Sequence, residues 1–245
     1  MDWDDYEEWG QKIAQWGAVY HKSLRDRPVR SQVTPGQVSQ SIPATAPEAP
    51  EDMAQIMADF DKFILPGMTH WQHPRFFAYF PSNATPPSIL ADFLSATLSS
   101  QGILWQMSPA ATELETSMMD WMRDAVGLPP EFSGVIQDSA STATLAAVLT
   151  MREAVLNWKG NKEGLSRHNR LRIYVSGEAH SSVEKAVWIA GIGSENIVRI
   201  PVFGPMRSTD PDALKAAIES DIATGYTPAG VIGVIGGTGM GACDN

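Results

Sequence analysis

Cysteine is almost missing from this chain: Cys243 stands alone among 245 residues. A lone thiol forms no internal disulfide and no Cys-x-x-Cys motif, and it suits a reducing, cytoplasmic setting. Long apolar runs are missing as well, none reaching the roughly 20 residues that a membrane-spanning helix needs. Positive charge is scarce, with 18 Lys and Arg against 28 Asp and Glu for a net −10. Without a basic stripe, a nucleic-acid partner is excluded. The start, MDWDDYEEW, is the reverse of the basic leader of a secretory signal. The five histidines, His21, His70, His73, His168 and His180, show no HExxH spacing. Pro74 argues against a helical ligand pair at His70 and His73, so no metal site is expected.

What is present is a globular composition, 43% hydrophobic and 19% charged, long enough for one large domain or one and a half. Tyr6, Trp9, Ile13, Trp16 and Tyr20 recur at steps of three and four, which predicts a helix of about 18 residues with one apolar seam. Prolines then punctuate residues 28–50, which read as an extended strap without regular structure. A helix on such a strap either folds back on its own chain or reaches a second subunit. The length of the strap favours the second.

Residues 51–65 predict another amphipathic helix, carrying Met53, Ile56, Met57, Phe60 and Ile64 and stopped by Pro66-Gly67. Five aromatics crowd residues 71–80. They either plug the core or, Trp71, Tyr79 and Phe80 above all, line a pocket for a flat apolar substrate. Helices are expected over 87–98 and 109–126, joined by a glycine-broken connector at 101–105. Glu113 and Glu115 are read as complements to the positive end of the second of these helices, and as surface, in preference to an acid–base pair.

The centre of the chain is residues 134–149, GVIQDSASTATLAAVL. A short strand at 134–136 is expected to turn through Gln137-Asp138-Ser139 into a helix running towards Trp158. Helix starts carry unpaired N–H groups and partial positive charge. Small residues from Ser139 to Ala143 and hydroxyls at Ser139, Ser141 and Thr142 suit an anion. The plainer alternative is that Asp138 or Ser139 caps a core helix. Further strands are expected at 171–175, 197–202 and 230–235, with helices at 183–190 and 211–224. That alternation predicts an α/β fold, a mostly parallel sheet flanked by helices. Ligands in such sheets sit beyond the carboxyl ends of the strands, where Ser139 to Thr142, His180 and Thr238 fall. Residues 237–242 also fit G-x-G-x-x-A, a weak dinucleotide signal with no helix and no acidic residue after it.

Five ordered blocks, THWQHPRFFAYFPS, SPAATELETSMMDWM, GVIQDSASTATLAAVL, EAHSSVEKA and GGTGMGACDN, closely resemble the pyridoxal-phosphate-dependent group II decarboxylases, the branch containing aromatic-L-amino-acid decarboxylase. The resemblance implies fold type I, with residues 1–85 as an N-terminal helical arm and strap exchanged between subunits of a homodimer. Residues 86–245 would begin the large cofactor-binding domain. It also implies that Ala140 and Ser141 hold the phosphate of pyridoxal 5'-phosphate, that catalytic His180 stacks on the cofactor ring, and that Thr238 steadies the cofactor's surroundings. Trp71, Tyr79 and Phe80 would line the substrate pocket, with Gln101 and Ile103 reaching it from the neighbouring subunit. The expected reaction converts an aromatic amino acid to its amine and carbon dioxide. The family's pyridine-nitrogen aspartate and Schiff-base lysine would follow Asn245, and Lys185 matches a surface position and is no substitute. A second polypeptide carrying the C-terminal half is therefore expected, since the glycines of residues 233–241 would otherwise be a flexible tail. The alternatives are a non-catalytic dimerisation or regulatory fragment, and an aromatic aldehyde synthase using the same cofactor.

Overall fold

The computed structural model describes residues 1–80 and 84–245; Pro81 and Ser82, which end the first of the five blocks, lie outside the described residues. Two compact units emerge, Met1–Thr97 and Leu98–Asn245.

In the first unit, α1 (Trp3–Ser23) starts at a reciprocal cap. The Asp2 carboxylate accepts the N–H of Asp4 and Asp5, both at 2.9 Å, while Asp5 accepts the N–H of Asp2 at 3.1 Å. The aromatic seam finds partners within its own unit. Trp16 donates to Asp61 at 3.1 Å and meets Phe60 edge-on, and the Tyr20 hydroxyl lies 2.8 Å from His70 Nδ1. Tyr6 stacks on Phe93 and reaches the Thr97 hydroxyl. Trp3, Ile13 and Val19 of the same helix stay exposed.

The strap does contain one regular turn, α2 (Gln37–Gln40), entered through Gly36 at φ 87°. The second amphipathic helix is not continuous: α3 (Met53–Asp59) widens into a π-turn over Phe60–Ile64 and tightens to a 3-10 turn over Leu65–Gly67. Pro66 has no N–H to extend the ladder. The last helix of this unit is α4 (Pro86–Leu98), whose final residue is the first of the second unit.

The second unit holds α5 (Pro109–Ala125), α6 (Ala140–Val155) and the single turn α7 (Gly160–Glu163). The strand β1 (Leu171–Ser176) follows, then α8 (Ser181–Ile189) and β2 (Ile197–Ile200). Pro201 ends β2 before residue 202. Beyond it β3 (Val202–Phe203) and β4 (Ser208–Thr209) form a small antiparallel hairpin, followed by α9 (Pro211–Ala223) and β5 (Thr227–Ile232). The sheet order is β2-β1-β5, all parallel. The last strand therefore begins three residues earlier than the apolar pattern at 230–235 suggested, because Thr227 pairs with Leu171.

Central β1 is buried on both faces, as its near-continuous apolar run requires. Ile173 and Val175 pack with Val148 of α6 and with Val183, Ala186 and Val187 of α8. On the other face the hydroxyl of Tyr174 donates to Asp221 of α9 at 2.9 Å. Burial, then the Asp221 carboxylate, pushes that phenol up to about 12.

No strand forms at 134–136. Val135 and Ile136 are more than 60% exposed, and the Ile136 N–H donates to the Glu115 carboxylate at 2.7 Å instead of to a neighbouring strand. An extended segment becomes a strand only beside a partner.

Candidate functional site

The site builds from the start of α6. Ser139 is its cap: the Ser139 hydroxyl accepts the Thr142 N–H at 3.3 Å, and the Thr142 hydroxyl accepts the Ser139 N–H at 3.2 Å. Thr142 in turn donates to the Asp138 carboxylate. Capping thus consumes Asp138, Ser139 and Thr142, which is the plainer of the two sequence readings. It leaves the N–H groups of Ala140 and Ser141 and the Ser141 hydroxyl with no partner among the described residues. Both residues are exposed. The capping and anion readings are therefore compatible, one using the 139/142 pair and the other the 140/141 pair.

His180 occupies the equivalent place on α8. As N-cap, its Nδ1 accepts the Ser182 N–H at 3.2 Å and lies 3.0 Å from the Ser182 hydroxyl. An Nδ1 that accepts a backbone proton leaves the ring hydrogen of neutral imidazole on Nε2. The ring is exposed, so its faces and Nε2–H are available. Ser182 is 8% exposed. Sequence reasoning overlooked it, although a His followed two residues later by Ser at a helix start is the signal that marks the pairing.

The two helix starts share an edge of the sheet. Arg152, in the last turn of α6, donates to the carbonyl of Ala190, the residue that ends α8, at 2.7 Å. Their C-termini are adjacent and α8 runs back from the carboxyl end of β1, so both helices point the same way. Thirteen residues of α6 back to Ala140 and ten of α8 back to Ser181 rise about 18 and 13.5 Å. Both N-termini thus lie at the carboxyl edge of the strands.

Thr238 comes to that edge from β5, the neighbour of β1. The glycine-rich segment folds as a hairpin. Ile235 bridges Cys243, the Gly237 N–H donates to the Ala242 carbonyl at 2.8 Å, and Gly236 and Gly241 hold φ values of 72° and 70°. The G-x-G-x-x-A run lies inside this hairpin, where the Gly241 N–H also donates to the Gly237 carbonyl at 2.7 Å. Asp244, which sequence reasoning passed over, closes the hairpin: its carboxylate accepts the N–H of Thr209 and of Val234, each at 2.6 Å.

The remaining residues singled out from sequence sit elsewhere. Trp71, Tyr79 and Phe80 belong to the first unit and are 41%, 71% and 60% exposed, so they do not plug a core there. Trp71 packs on Phe76 and Tyr79. Gln101 is exposed and Ile103 is 73% exposed, both on the connector ahead of α5. Glu113 is exposed and Glu115 half-buried, in keeping with a place on the surface. Glu113 accepts the Trp105 indole N–H at 2.8 Å and Glu115 holds Ile136, so each ties a loop to α5.

A family profile described as the pyridoxal-dependent decarboxylase conserved domain matches residues 35–245. Aromatic-L-amino-acid decarboxylase of Mus musculus is 39% identical across the whole of this chain and 53% of its own length. Phenylacetaldehyde synthase of Arabidopsis thaliana is also 39% identical, over 50% of its length. The solved structure of Catharanthus roseus tryptophan decarboxylase in complex with L-tryptophan superposes with a TM-score of 0.92 at 35% identity, covering all of this chain and 52% of that one. The chain spans about half the length of the curated relatives it matches.

Proposed function

The chain belongs to the pyridoxal-dependent decarboxylase family, and from that premise we propose that it supplies the phosphate-anchoring and ring-covering part of an enzyme converting aromatic L-amino acids to amines and carbon dioxide. The observation that carries this reading is the start of α6, where two N–H groups and one hydroxyl at residues 140 and 141 have no partner among the described residues, beside a filled cap. Ala140 and Ser141 fit a phosphate through those groups and the helix dipole.

When bound, pyridoxal 5'-phosphate supplies an electron sink for the pair left by the departing carboxylate. His180, its Nδ1 engaged by Ser182, offers a ring of fixed orientation to stack on the cofactor and exclude water. Thr238, at the tip of the Gly237 to Gly241 turn, steadies the same edge. Exposed Trp71, Tyr79 and Phe80 receive the flat side chain of the substrate, and Gln101 and Ile103 are presented to a neighbouring subunit. The rest of the catalytic machinery comes from a C-terminal half, carried on a companion polypeptide or on the same one, and the assembled unit is a homodimer. Lone Cys243 supports a cytoplasmic location. Among the described residues no helix is long and apolar enough to cross a membrane.

In the complete protein, Ser141→Glu sets a carboxylate where the phosphate would lie. Its dissociation constant for pyridoxal phosphate is expected to rise at least about tenfold, read from cofactor absorbance. His180→Ala is expected to lower turnover roughly 100-fold or more while the fold is kept, with about 1 kcal/mol of stability lost with the α8 cap. Unchanged cofactor retention in the first variant would remove Ser141 from the phosphate site. A product screen with tryptophan, phenylalanine, tyrosine and dihydroxyphenylalanine, measuring amine and carbon dioxide together, tests the reaction. The identity to phenylacetaldehyde synthase favours an aldehyde synthase as the second reading, which aldehyde in place of amine would establish.

A further inference from the structure

The turn between β3 and β4 carries an arginine that the reading above leaves without a role. Arg207 holds φ 51°, a left-handed conformation uncommon for a residue with a Cβ, and its N–H closes the turn on the Gly204 carbonyl at 3.1 Å. Its Nε donates to Glu178 Oε1 at 2.7 Å, and Nη2 reaches the same oxygen. Glu178 lies two residues before His180 on the loop leaving β1. Its carboxylate is 17% exposed and the Arg207 side chain 44%.

The neighbours of Arg207 grip the hairpin that carries Thr238. The Met206 carbonyl accepts the Cys243 N–H at 3.0 Å. The Ser208 hydroxyl donates to the Cys243 carbonyl at 2.6 Å, and the Thr209 N–H donates to Asp244 at 2.6 Å. Residues 206 to 209 therefore hold two loops at once, the Thr238 hairpin through 206, 208 and 209 and the His180 loop through 207. A half-exposed ion pair adds little to stability by itself. One that joins the His180 loop to the segment gripping the Thr238 hairpin points to positioning.

Resting on the proposed function, we infer that Arg207 is a positioning residue, which through Glu178 sets where the His180 imidazole stands relative to Thr238 across the cofactor site. It touches neither cofactor nor substrate. Displacing a reacting-site group by about 1 Å is enough to cost up to roughly 100-fold.

The test uses the complete protein and the variants Arg207→Gln, Arg207→Lys, Glu178→Gln and the Arg207→Gln/Glu178→Gln pair. Each is measured for pyridoxal phosphate affinity from absorbance titration of the apoprotein, for kcat and KM separately, and for thermal midpoint. Arg207→Gln is expected to weaken cofactor affinity and lower kcat by about tenfold each with KM little changed. Arg207→Lys should recover part of the loss, and the double variant should be no worse than the poorer single one. Effects that add in the double variant, or a lowered midpoint with affinity and kcat within about twofold of wild type, would overturn the inference. If Arg207→Gln does not fold, Glu178→Gln judged by the same measures decides. A wild-type protein that takes up no pyridoxal phosphate overturns the proposed function itself; one that does, with unchanged variants, overturns only the role of Arg207.

Discussion

Asp244 is the residue on which the Thr238 hairpin turns. Partial burial opposes its ionisation, but the N–H groups of Thr209 and Val234 outweigh that and hold its carboxyl below the usual range. A carboxylate with a lowered folded pKa adds stability that is fully present above the unfolded value, 3.8, and is lost as pH falls through the folded one. The stability advantage of wild type over Asp244→Asn, from urea midpoints of the complete protein, should hold from neutral pH to about 5 and shrink below about 4. A gap that does not change with pH would show that the charge is irrelevant. At this scale the amino-acid order is eloquent about some residues and silent about others. Ser139, Ala140 and Ser141 advertise a helix start by type and spacing. Asp244 and Arg207 are ordinary charged residues whose partners lie 35 and 29 positions away, and spacing carries no trace of those meetings.

Among the elements, α6 depends on the fastening at its far end. Glu153 and Arg152 are nearly buried, with side chains 5% and 12% exposed. The guanidinium contacts Glu153, Ala190 and Asn161, while Glu153 also accepts the Asn161 N–H at 3.2 Å. Removing the cation leaves a buried carboxylate unpaired, so Arg152→Ala is expected to cost about 3–5 kcal/mol, read as a lowered urea midpoint. Replacing both Arg152 and Glu153 with apolar residues should return most of it. A methyl group at Gly160 would come within 2.4 Å of a Glu153 oxygen, so Gly160→Ala should destabilise by about 1–3 kcal/mol. Since this fastening keeps the C-termini of α6 and α8 together, Arg152→Ala should also weaken cofactor binding at the opposite ends. The helices themselves were legible, because an apolar period of 3.6 with proline, glycine or a cap at each end is a local property. The strand expected at 134–136 and the register of β5 were not, because a strand is defined by its neighbour.

For the whole molecule, surface area is the informative quantity. The chain exposes 17541 Å², whereas a compact monomer of its 26.6 kDa exposes about 10,700 Å², and two separate compact bodies of 97 and 148 residues together about 13,000 Å². The excess does not depend on how the two units are arranged. Much of it is apolar: Leu90, Leu94 and Leu98 of α4 and Leu114, Trp121 and Met122 of α5 are all more than half exposed. Faces of this kind call for covering polypeptide. The chain expressed alone is therefore expected to bind a hydrophobic dye and elute as aggregates, whereas the complete assembly should run in native mass spectrometry as a discrete dimer. A sharply eluting, cooperatively melting monomer of residues 1–245 would contradict this.

By itself the order of amino acids determined the helices with their caps, the alternation of β1, α8, β2, α9 and β5, and the small-residue turn at 139–142 whose chemistry suits an anion. Each of these rests on contacts within a few residues or on a simple period. Only the tertiary structure decided that 139 and 142 are spent on capping while 140 and 141 stay open, that the two helix starts share one edge, that the glycine run folds into a hairpin, and that Arg207 joins it to the His180 loop. Those outcomes depend on groups brought together from tens of residues apart, and their energy exists only once the chain has closed upon itself.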